Sequence, residues 1–200
     1  LVEKIKTWSG AGPTVALNYA YDANGSLTNI LSSSTNGVNV GYEYDALNRL
    51  SAVNDANVGR TAYTYDGVGN LKGYTYPNFV HTEYTYDALN RLTNLASTTL
   101  MTTLANYAYT VGAAGNRLTA TETVSPNGVP HTINRIYTYD AVYRLTGEQI
   151  NGAPSTGSAS YGYDPVGNRL TRGVTSLPLA PQTFGFDAND RLTTDTYDAN

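Results

Sequence analysis

Apolar and polar positions alternate along most of the chain, and no stretch of useful length has the period of an α-helix. In the string from Tyr84 to Asp87, the two tyrosines lie two residues apart and share one face of a strand, while Thr85 points to the other face. Tyr and Thr both suit a pleated, half-buried surface. The pattern therefore predicts an all-β protein.

A turn signal follows the tyrosine pair. Asp87 ends the strand, because its carboxylate can accept a hydrogen bond from the backbone N–H two residues on, as in an Asx-turn. Three residues after the aspartate, the chain needs a positive φ to reverse, which Gly, Asn and Asp tolerate. Arg91 and Leu92 then begin the return strand, so the string is predicted to form a hairpin with a type I turn and a bulge. The residues at the positive-φ position are Gly25, Asn48, Gly69, Asn90, Gly167 and Asp190, whereas Tyr143 is an exception that predicts a different or strained turn.

The hairpin recurs along the chain. The interval from Asp45 to Asp66, and from there to Asp87, is 21 residues, which is typical of a repeat architecture. A lone hairpin is marginal in water, so each unit must pack against its neighbours. The units are predicted at residues 19–32, 42–53, 63–76, 84–96, 107–123 (degenerate), 137–150, 161–175 and 184–194, with a truncated ninth at 197–200. The structural motif positions are Tyr42, Tyr44, Asp45, Asn48, Arg49, Leu50, Tyr63, Tyr65, Asp66, Gly69, Tyr84, Tyr86, Asp87, Asn90, Arg91, Leu92, Tyr137, Tyr139, Asp140, Arg144, Tyr161, Tyr163, Asp164, Gly167, Arg169, Phe184, Phe186, Asp187 and Arg191.

The fifth unit departs most from the pattern. Tyr107 and Tyr109 keep the aromatic pair, but Thr110 stands where the other units have Asp. We expect residues 111–116 to lengthen this turn and the Asx-turn to be lost.

Two later units vary in smaller ways. One residue more separates Asp164 from Leu170 than in the other units, which predicts a loop longer by one residue. Phe184 and Phe186 replace both tyrosines of their unit, which indicates that aromatic bulk matters more than the hydroxyl.

Composition narrows the class of protein. The 200 residues carry a net charge of −4, only 14% are charged, and there are 18 Tyr and 19 Gly. Without a basic cluster to neutralise phosphates, we expect no nucleic-acid partner. The absence of Cys excludes disulfides and thiolate zinc sites, and no apolar run has the length of a membrane-spanning helix. Because the pattern opens and closes in mid-motif, we interpret residues 1–200 as a single repeat array from a longer chain.

Residues with chemical potential have simpler structural interpretations. His81 and His131 are 50 residues apart, without the close spacing of a local metal pair. The motif aspartates occur once per unit in the same turn context, which favours capping over acid–base catalysis. Residues 22–25 and 187–190 have only faint calcium-loop character. We therefore expect no enzyme, no catalytic or metal-binding residue and no cofactor. The recurring arginines predict a solvated or locally paired row, against Asp or Tyr of a neighbouring repeat, rather than an anion site: Arg49, Arg91, Arg117, Arg144, Arg169 and Arg191.

The motif Tyr-x-Tyr-Asp followed by Gly or Asn, Arg, Leu and Thr resembles the YD repeat of the RHS family, from Tyr19 to Asn200. That family includes bacterial RHS polymorphic toxins, shell subunits of insecticidal toxin complexes, and teneurins. The resemblance implies tandem hairpins in a spiralling antiparallel sheet, a partial β-shell or solenoid. The toxins' aspartate-dependent self-cleavage is not carried over, because Asp164 and Pro165 lie in an ordinary repeat turn.

The resemblance also implies a function. The chain would be a non-enzymatic segment of a shell that encapsulates a toxic or effector C-terminal segment, or a scaffold of a secreted or cell-surface protein. Its partners would be the rest of its own chain, an enclosed cargo, and further copies through open sheet edges. It would be secreted, at the cell surface, or exported as part of a toxin. The alternative is a carbohydrate-binding or adhesive module with exposed rows of Tyr, which the direction of the Tyr pairs would distinguish.

Overall fold

The computed structural model of the chain describes residues 2–6, 15–152 and 156–197. Nearly all regular structure in these ranges is β-strand, and the exception is one turn of 3-10 helix at Pro126–Gly128. The all-β prediction is therefore confirmed. The strands are Val2–Lys6 (β1), Val15–Tyr21 (β2), Leu27–Ser32 (β3), Asn39–Tyr44 (β4), Leu50–Asp55 (β5), Gly59–Tyr65 (β6), Leu71–Thr75 (β7), His81–Tyr86 (β8), Leu92–Thr98 (β9), Thr103–Val111 (β10), Arg117–Val124 (β11), His131–Tyr139 (β12), Leu145–Gly152 (β13), Gly157–Tyr163 (β14), Arg169–Thr175 (β15) and Gln182–Thr183 (β16).

The chain divides into two compact units. The first comprises Leu1–Tyr84 and Ser97–Met101, and the second comprises Thr85–Ala96 and Thr102–Asn200. In each unit, consecutive strands pair antiparallel, from β1 to β8 in the first and from β10 to β16 in the second. Each unit is thus a meander of hairpins. The single array over all 200 residues stays a prediction, and residues 198–200 of the truncated ninth repeat lie outside the described ranges.

The repeat hairpins share one register with one bulge. In β4/β5, Glu43 lies opposite Ala52, but Tyr44 lies opposite Leu50, so one extra residue is accommodated on the return strand. The same shift occurs at the turn end of β2/β3, β6/β7, β10/β11, β12/β13 and β14/β15. The bulge expected from the turn length is confirmed.

The turn of the fifth hairpin is not longer than the others. Gly112 donates its N–H to the Asn116 carbonyl at 2.8 Å, as Asp45 does to the Arg49 carbonyl at 2.9 Å. Gly112 therefore takes the aspartate position, and the expectation that Thr110 takes it in a lengthened turn is wrong. The error arose because the aromatic pair of this unit lies two residues earlier than in the others. The Asx-turn is lost as predicted, since glycine has no carboxylate.

The turn after Asp164 also has the ordinary length. The N–H of Asp164 donates to the Asn168 carbonyl at 3.0 Å, and Tyr163 pairs with Arg169. The predicted longer loop is wrong, because the return strand begins at Arg169 rather than at Leu170. Asn168 stands where four other turns have arginine, and the extra residue belongs to the strand.

The described residues form little buried core. The buried hydrophobic residues are Ala52, Ala120, Ile150 and Ala159, and no large side chain in the described part of the chain is fully buried. Because directly paired residues share a face, Ala120 and Ile150 lie on the same face of the second unit as Arg135, which pairs with both. Contacts along the sheet, between neighbouring hairpins, must therefore provide much of the specific structure.

Candidate functional site: the repeat turn

Each motif aspartate stabilises its turn through one carboxylate oxygen. Oδ1 of Asp45 accepts hydrogen bonds from the backbone N–H groups of Leu47 and Arg49, both at 2.9 Å. The predicted Asx-turn is thereby confirmed, with a second bond that the sequence did not predict. The same two bonds, between 2.8 and 3.1 Å, occur at Asp22, Asp66, Asp87, Asp140, Asp164 and Asp187.

The second carboxylate oxygen binds the side chain four residues later. Arg49 donates its Nε to Asp45 Oδ2 at 2.8 Å, and Asn70 donates its side-chain amide to Asp66 Oδ2 at 3.0 Å. The predicted local pairing of the arginine is therefore confirmed at this position, although the aspartate belongs to its own turn and not to a neighbouring repeat. The equivalent donors in the other turns are Arg91, Arg144, Asn168 and Arg191.

These bonds hold the carboxyl groups ionised. The backbone N–H of Arg49 contributes most to lowering the pKa of Asp45, and the Arg49 side chain adds to it. Burial opposes this at Asp66, but the hydrogen bonds of Asn70 and two backbone N–H groups still lower the pKa of Asp66. A carboxylate with both oxygens bound inside a turn suits capping, not proton transfer. The pKa is also lowered at Asp87, Asp140, Asp164 and Asp187.

The third residue after the aspartate has the predicted positive φ. It is 59° at Asn48 and 106° at Gly167. Tyr143 has a φ of 63°, and its N–H donates to the Asp140 carbonyl at 3.0 Å, as in the other turns. Of the two alternatives for Tyr143, the turn keeps its form, and a tyrosine in the left-handed region costs about 1 kcal/mol. The prediction is also confirmed at Gly25, Gly69, Asn90 and Asp190.

The second tyrosine of a pair connects its hairpin to the preceding one. The Tyr44 hydroxyl donates to the Leu27 carbonyl at 2.8 Å, and the Tyr65 hydroxyl donates to the Leu50 carbonyl at 2.8 Å. The acceptor is the first residue of the preceding return strand. Aromatic bulk is therefore not the whole role of this position, and its repeated Tyr was the signal. Two further bonds of this kind join Tyr139 to Arg117 and Tyr163 to Leu145.

The motif arginine connects its hairpin to the following one. The guanidinium of Arg49 lies 4.4 Å from the ring centre of Tyr65, and that of Arg144 lies 4.8 Å from the ring centre of Tyr163. Nη1 of Arg144 also donates to the Asp164 carbonyl at 2.9 Å. The predicted arginine–tyrosine contact between repeats is confirmed at these positions. We call the aspartate, its partner four residues on, and the second aromatic residue of the next hairpin the turn ladder.

In the first unit, the first tyrosines of two pairs pack against Tyr74, which lies on the return strand β7. The ring centres of Tyr63 and Tyr74 are 5.9 Å apart, and those of Tyr74 and Tyr84 are 6.2 Å apart. All three rings are half-buried, so they contact neighbouring strands rather than form a fully exposed row. This arrangement gives the carbohydrate-binding alternative no specific support.

Polar groups outside the ladder also have partners. Arg135 on β12 pairs with Glu122 at 3.1 Å and with Glu148 at 2.8 Å, a cluster that sequence spacing did not predict. His81 bonds to the Thr75 hydroxyl at 2.9 Å. No group of three or more potential metal ligands lies in the described ranges. Within the same ranges, no helix is long and apolar enough to span a membrane.

The chain matches the model of a known protein family. The family model of the teneurin YD-shell matches residues 2–125. The chain belongs to the teneurin YD-shell family. The resemblance to YD repeats is confirmed, and family membership supports a structural role in a shell. Comparison with curated proteins gives no match.

Solved structures of Tc toxins contain the same fold. The crystal structure of TcdB2–TccC3–Cdc42 matches with a TM-score of 0.74 at 18% identity, over 91% of this chain and 10% of that one. TcdB2–TccC3 matches with a TM-score of 0.71 at 19% identity, over 92% and 11%. The Tc holotoxin pore of Photorhabdus luminescens matches with a TM-score of 0.65 at 16% identity, over 89% and 11%. The YD-shell chain thus spans about a tenth of the length of these proteins.

Proposed function

We propose that this chain is a non-enzymatic wall segment of a YD shell that encloses a toxic or effector C-terminal segment of a longer polypeptide. Membership of the YD-shell family and the similarity in fold to Tc toxin chains support the proposal. Its partners would be the rest of its own polypeptide and the enclosed segment. It would be exported with them, or serve as a scaffold of a secreted protein.

The turn ladder is the observation that carries the proposal. Several neighbouring hairpins within each unit are bonded through Tyr hydroxyls or Arg guanidinium groups, while few of the described residues are buried. Such a sheet can be extended hairpin by hairpin without a closed core, which is what a wall requires. The motif aspartates are occupied as caps, which supports a non-enzymatic role.

Electron microscopy of the longer polypeptide that carries this segment tests the proposal. We expect a hollow particle with density inside it, and an enclosed segment that resists protease until the wall is unfolded. An open ribbon, with every segment digested at the same rate as in denaturant, would refute encapsulation. Such a ribbon would leave the scaffold role as the remaining interpretation.

A further inference from the structure

Tyrosines are the most numerous oxidisable residues of this chain. The sequence has 18 Tyr against one Met and one Trp, and it has no Cys. Where a protein has accessible thiolates, these are among the first groups that an oxidant attacks. Because this chain has no thiol, one-electron oxidation falls mainly on its phenol rings. Tyrosines that contact one another are therefore candidates for a covalent modification.

Four tyrosines of the first unit gather around Tyr74 on β7. Tyr63 lies directly opposite Tyr74 on β6, and their ring centres are 5.9 Å apart. Tyr84 lies diagonally from Tyr74 on β8, with ring centres 6.2 Å apart. Tyr76 follows two residues after Tyr74, and those ring centres are 5.0 Å apart. We call these four residues the tyrosine cluster.

The ring orientations favour two of these contacts for a bond between ring carbons. The ring of Tyr74 is inclined by 48° to those of Tyr63 and Tyr84. A biaryl bond also leaves its two rings twisted relative to each other, so a small rotation of the side chains suffices to form it. The ring of Tyr76 is inclined by 74° and points edge to face, which disfavours such a bond.

Hydrogen bonds among the hydroxyls ease the loss of a proton from Tyr74. The Thr82 hydroxyl lowers the pKa of Tyr74 most, burial opposes it, and the hydroxyls of Tyr76 and Tyr84 add to the lowering. The hydrogen bond to Tyr74 raises the pKa of Tyr76, so Tyr76 keeps its proton. Because a phenol gives up its proton when it loses an electron, Tyr74 is the favoured position for a radical. Tyr76 is 44% exposed, which opens the cluster to oxidants in solution.

We propose that the tyrosine cluster is a site of oxidative cross-linking, at which Tyr74 forms a dityrosine bond with Tyr63 or Tyr84. The oxidant is hydrogen peroxide used by a haem peroxidase. Each of the two phenols loses one electron and its hydroxyl proton, and the two phenoxyl radicals form a carbon–carbon bond between their ortho positions. Each ortho hydrogen then moves as a proton to the oxygen of its own ring, which restores the phenol. One hydrogen peroxide takes up the two electrons and two protons and yields two molecules of water.

The bond links β7 covalently to β6 or to β8. In the unfolded chain it closes a loop of about ten residues, which reduces the freedom that is lost on folding. Few of the described residues are buried, so a covalent link adds to a fold that has little core. The site goes beyond the proposed shell role and does not depend on it.

Peptide mapping by mass spectrometry tests the site. The chain is treated at low concentration with a haem peroxidase and limiting hydrogen peroxide, and is then digested with trypsin, which cuts after Lys and Arg. A bond to Tyr63 joins the tryptic peptides 61–72 and 73–91. A bond to Tyr84 lies within the second of these peptides. We expect a link at Tyr74 to be the main product, whereas links spread evenly over other tyrosines, or links only between chains, would overturn the proposal.

Two matched variants give an independent readout through dityrosine fluorescence. Tyr74→Phe keeps the ring but cannot form a phenoxyl radical, so we expect it to lose most of the fluorescence that the parent gains. Tyr42→Phe is the control, because Tyr42 is also the first tyrosine of a pair but lies opposite Val53. It should cross-link like the parent. A Tyr74→Phe variant that reaches the parent's yield would refute the site.

Thermal unfolding of the oxidised chain tests the effect of the bond. We expect the cross-linked parent to melt roughly 5 °C above the untreated chain. The oxidised Tyr74→Phe variant should melt like its own untreated form. A cross-linked parent without this rise would overturn the stabilising role of the bond. The hollow particle of the shell test would stand in either case.

Discussion

The hairpins β4/β5 and β10/β11 make the same turn with different chemistry. Asp45 caps the first turn with its carboxylate, whereas Gly112 has no side chain to do so. Nevertheless, the closing backbone bonds are 2.9 Å and 2.8 Å, and φ is positive at both Asn48 and Gly115. The form of the turn is therefore set by register and by the positive-φ residue, and the aspartate adds stability to it.

The ladder also continues through the hairpin that lacks the aspartate. Nη1 of Arg91 donates to the Gly112 carbonyl at 2.7 Å, as Arg144 does to the Asp164 carbonyl. Arg117 instead lies over Tyr109 of its own hairpin, 4.0 Å from the ring centre. Hydrogen bonds from a neighbouring arginine to the main chain of the turn are therefore kept when the motif aspartate is absent, as at Gly112.

We expect the largest difference in stability between the aspartate-capped turns and the turn at Gly112 at low pH, because acid protonates six motif aspartates at once. Their pKa values are lowered in the folded chain, so their contribution is complete above the unfolded value of about 3.9 and is lost as pH falls through the folded values. We expect stability to decline below about pH 4. Amide exchange should rise at Leu47 and Arg49 but not to the same extent at residues 112–116. Equal acceleration at both turns would contradict the comparison.

Asp45→Ala should give the β4/β5 turn the uncapped character of the β10/β11 turn. The variant loses the acceptor for two backbone N–H groups and the partner of Arg49, so we expect a fall in the melting temperature of about 4 °C. Thermal unfolding by circular dichroism measures it. Asp45→Asn keeps one acceptor oxygen and should lose less. A fall of the same size in both variants would assign the effect to charge rather than to the cap.

Tyr65→Phe tests the bond to the preceding hairpin. Removing the hydroxyl leaves the Leu50 carbonyl without this donor, which we expect to cost about 1 kcal/mol in chemical denaturation. Phe186→Tyr is the reciprocal control, since it places a hydroxyl at the equivalent position of the last hairpin. A Tyr65→Phe variant as stable as the parent would show that the ring alone holds the hairpins together.

Gly112→Asp should restore the missing cap, with the smallest expected effect. A Cβ atom at Gly112 would meet only the side chain of Asn116, at 2.7 Å from its Oδ1. That amide can turn to donate to the new carboxylate, as Asn70 does to Asp66. We expect a gain of about 0.5 kcal/mol, and Gly112→Ala is the matched control without a carboxylate. A loss of stability in the aspartate variant alone would mean that Asn116 cannot move.

The local parts of this fold could be predicted from the sequence, because their causes lie within five residues. An aspartate followed three residues later by asparagine, as at Asp87 and Asn90, specifies such a turn. The Asx-turns and the positive φ values could therefore be predicted from the sequence. The lateral bonds could not be predicted, since the acceptor of Tyr44 is a carbonyl, which every residue carries. In the fifth hairpin the tyrosine pair does not indicate where the turn lies, because it stands two residues earlier than in the other units, whereas Gly115 has the positive φ that marks the turn. Nothing in the motif indicates the cluster around Arg135.

The ladder's acceptors have a consequence for how such chains evolve. The groups that receive bonds from neighbouring repeats include the main-chain carbonyls of Leu27, Leu50, Gly112, Arg117 and Leu145, so the acceptor can belong to a leucine, a glycine or an arginine. The bonds between repeats therefore place little constraint on which side chain the acceptor residue of the neighbouring repeat carries. Units can diverge, be duplicated or be deleted whole while the bonds between neighbours persist. A sheet of this kind can keep its form at 16% to 19% identity, as the Tc toxin chains do.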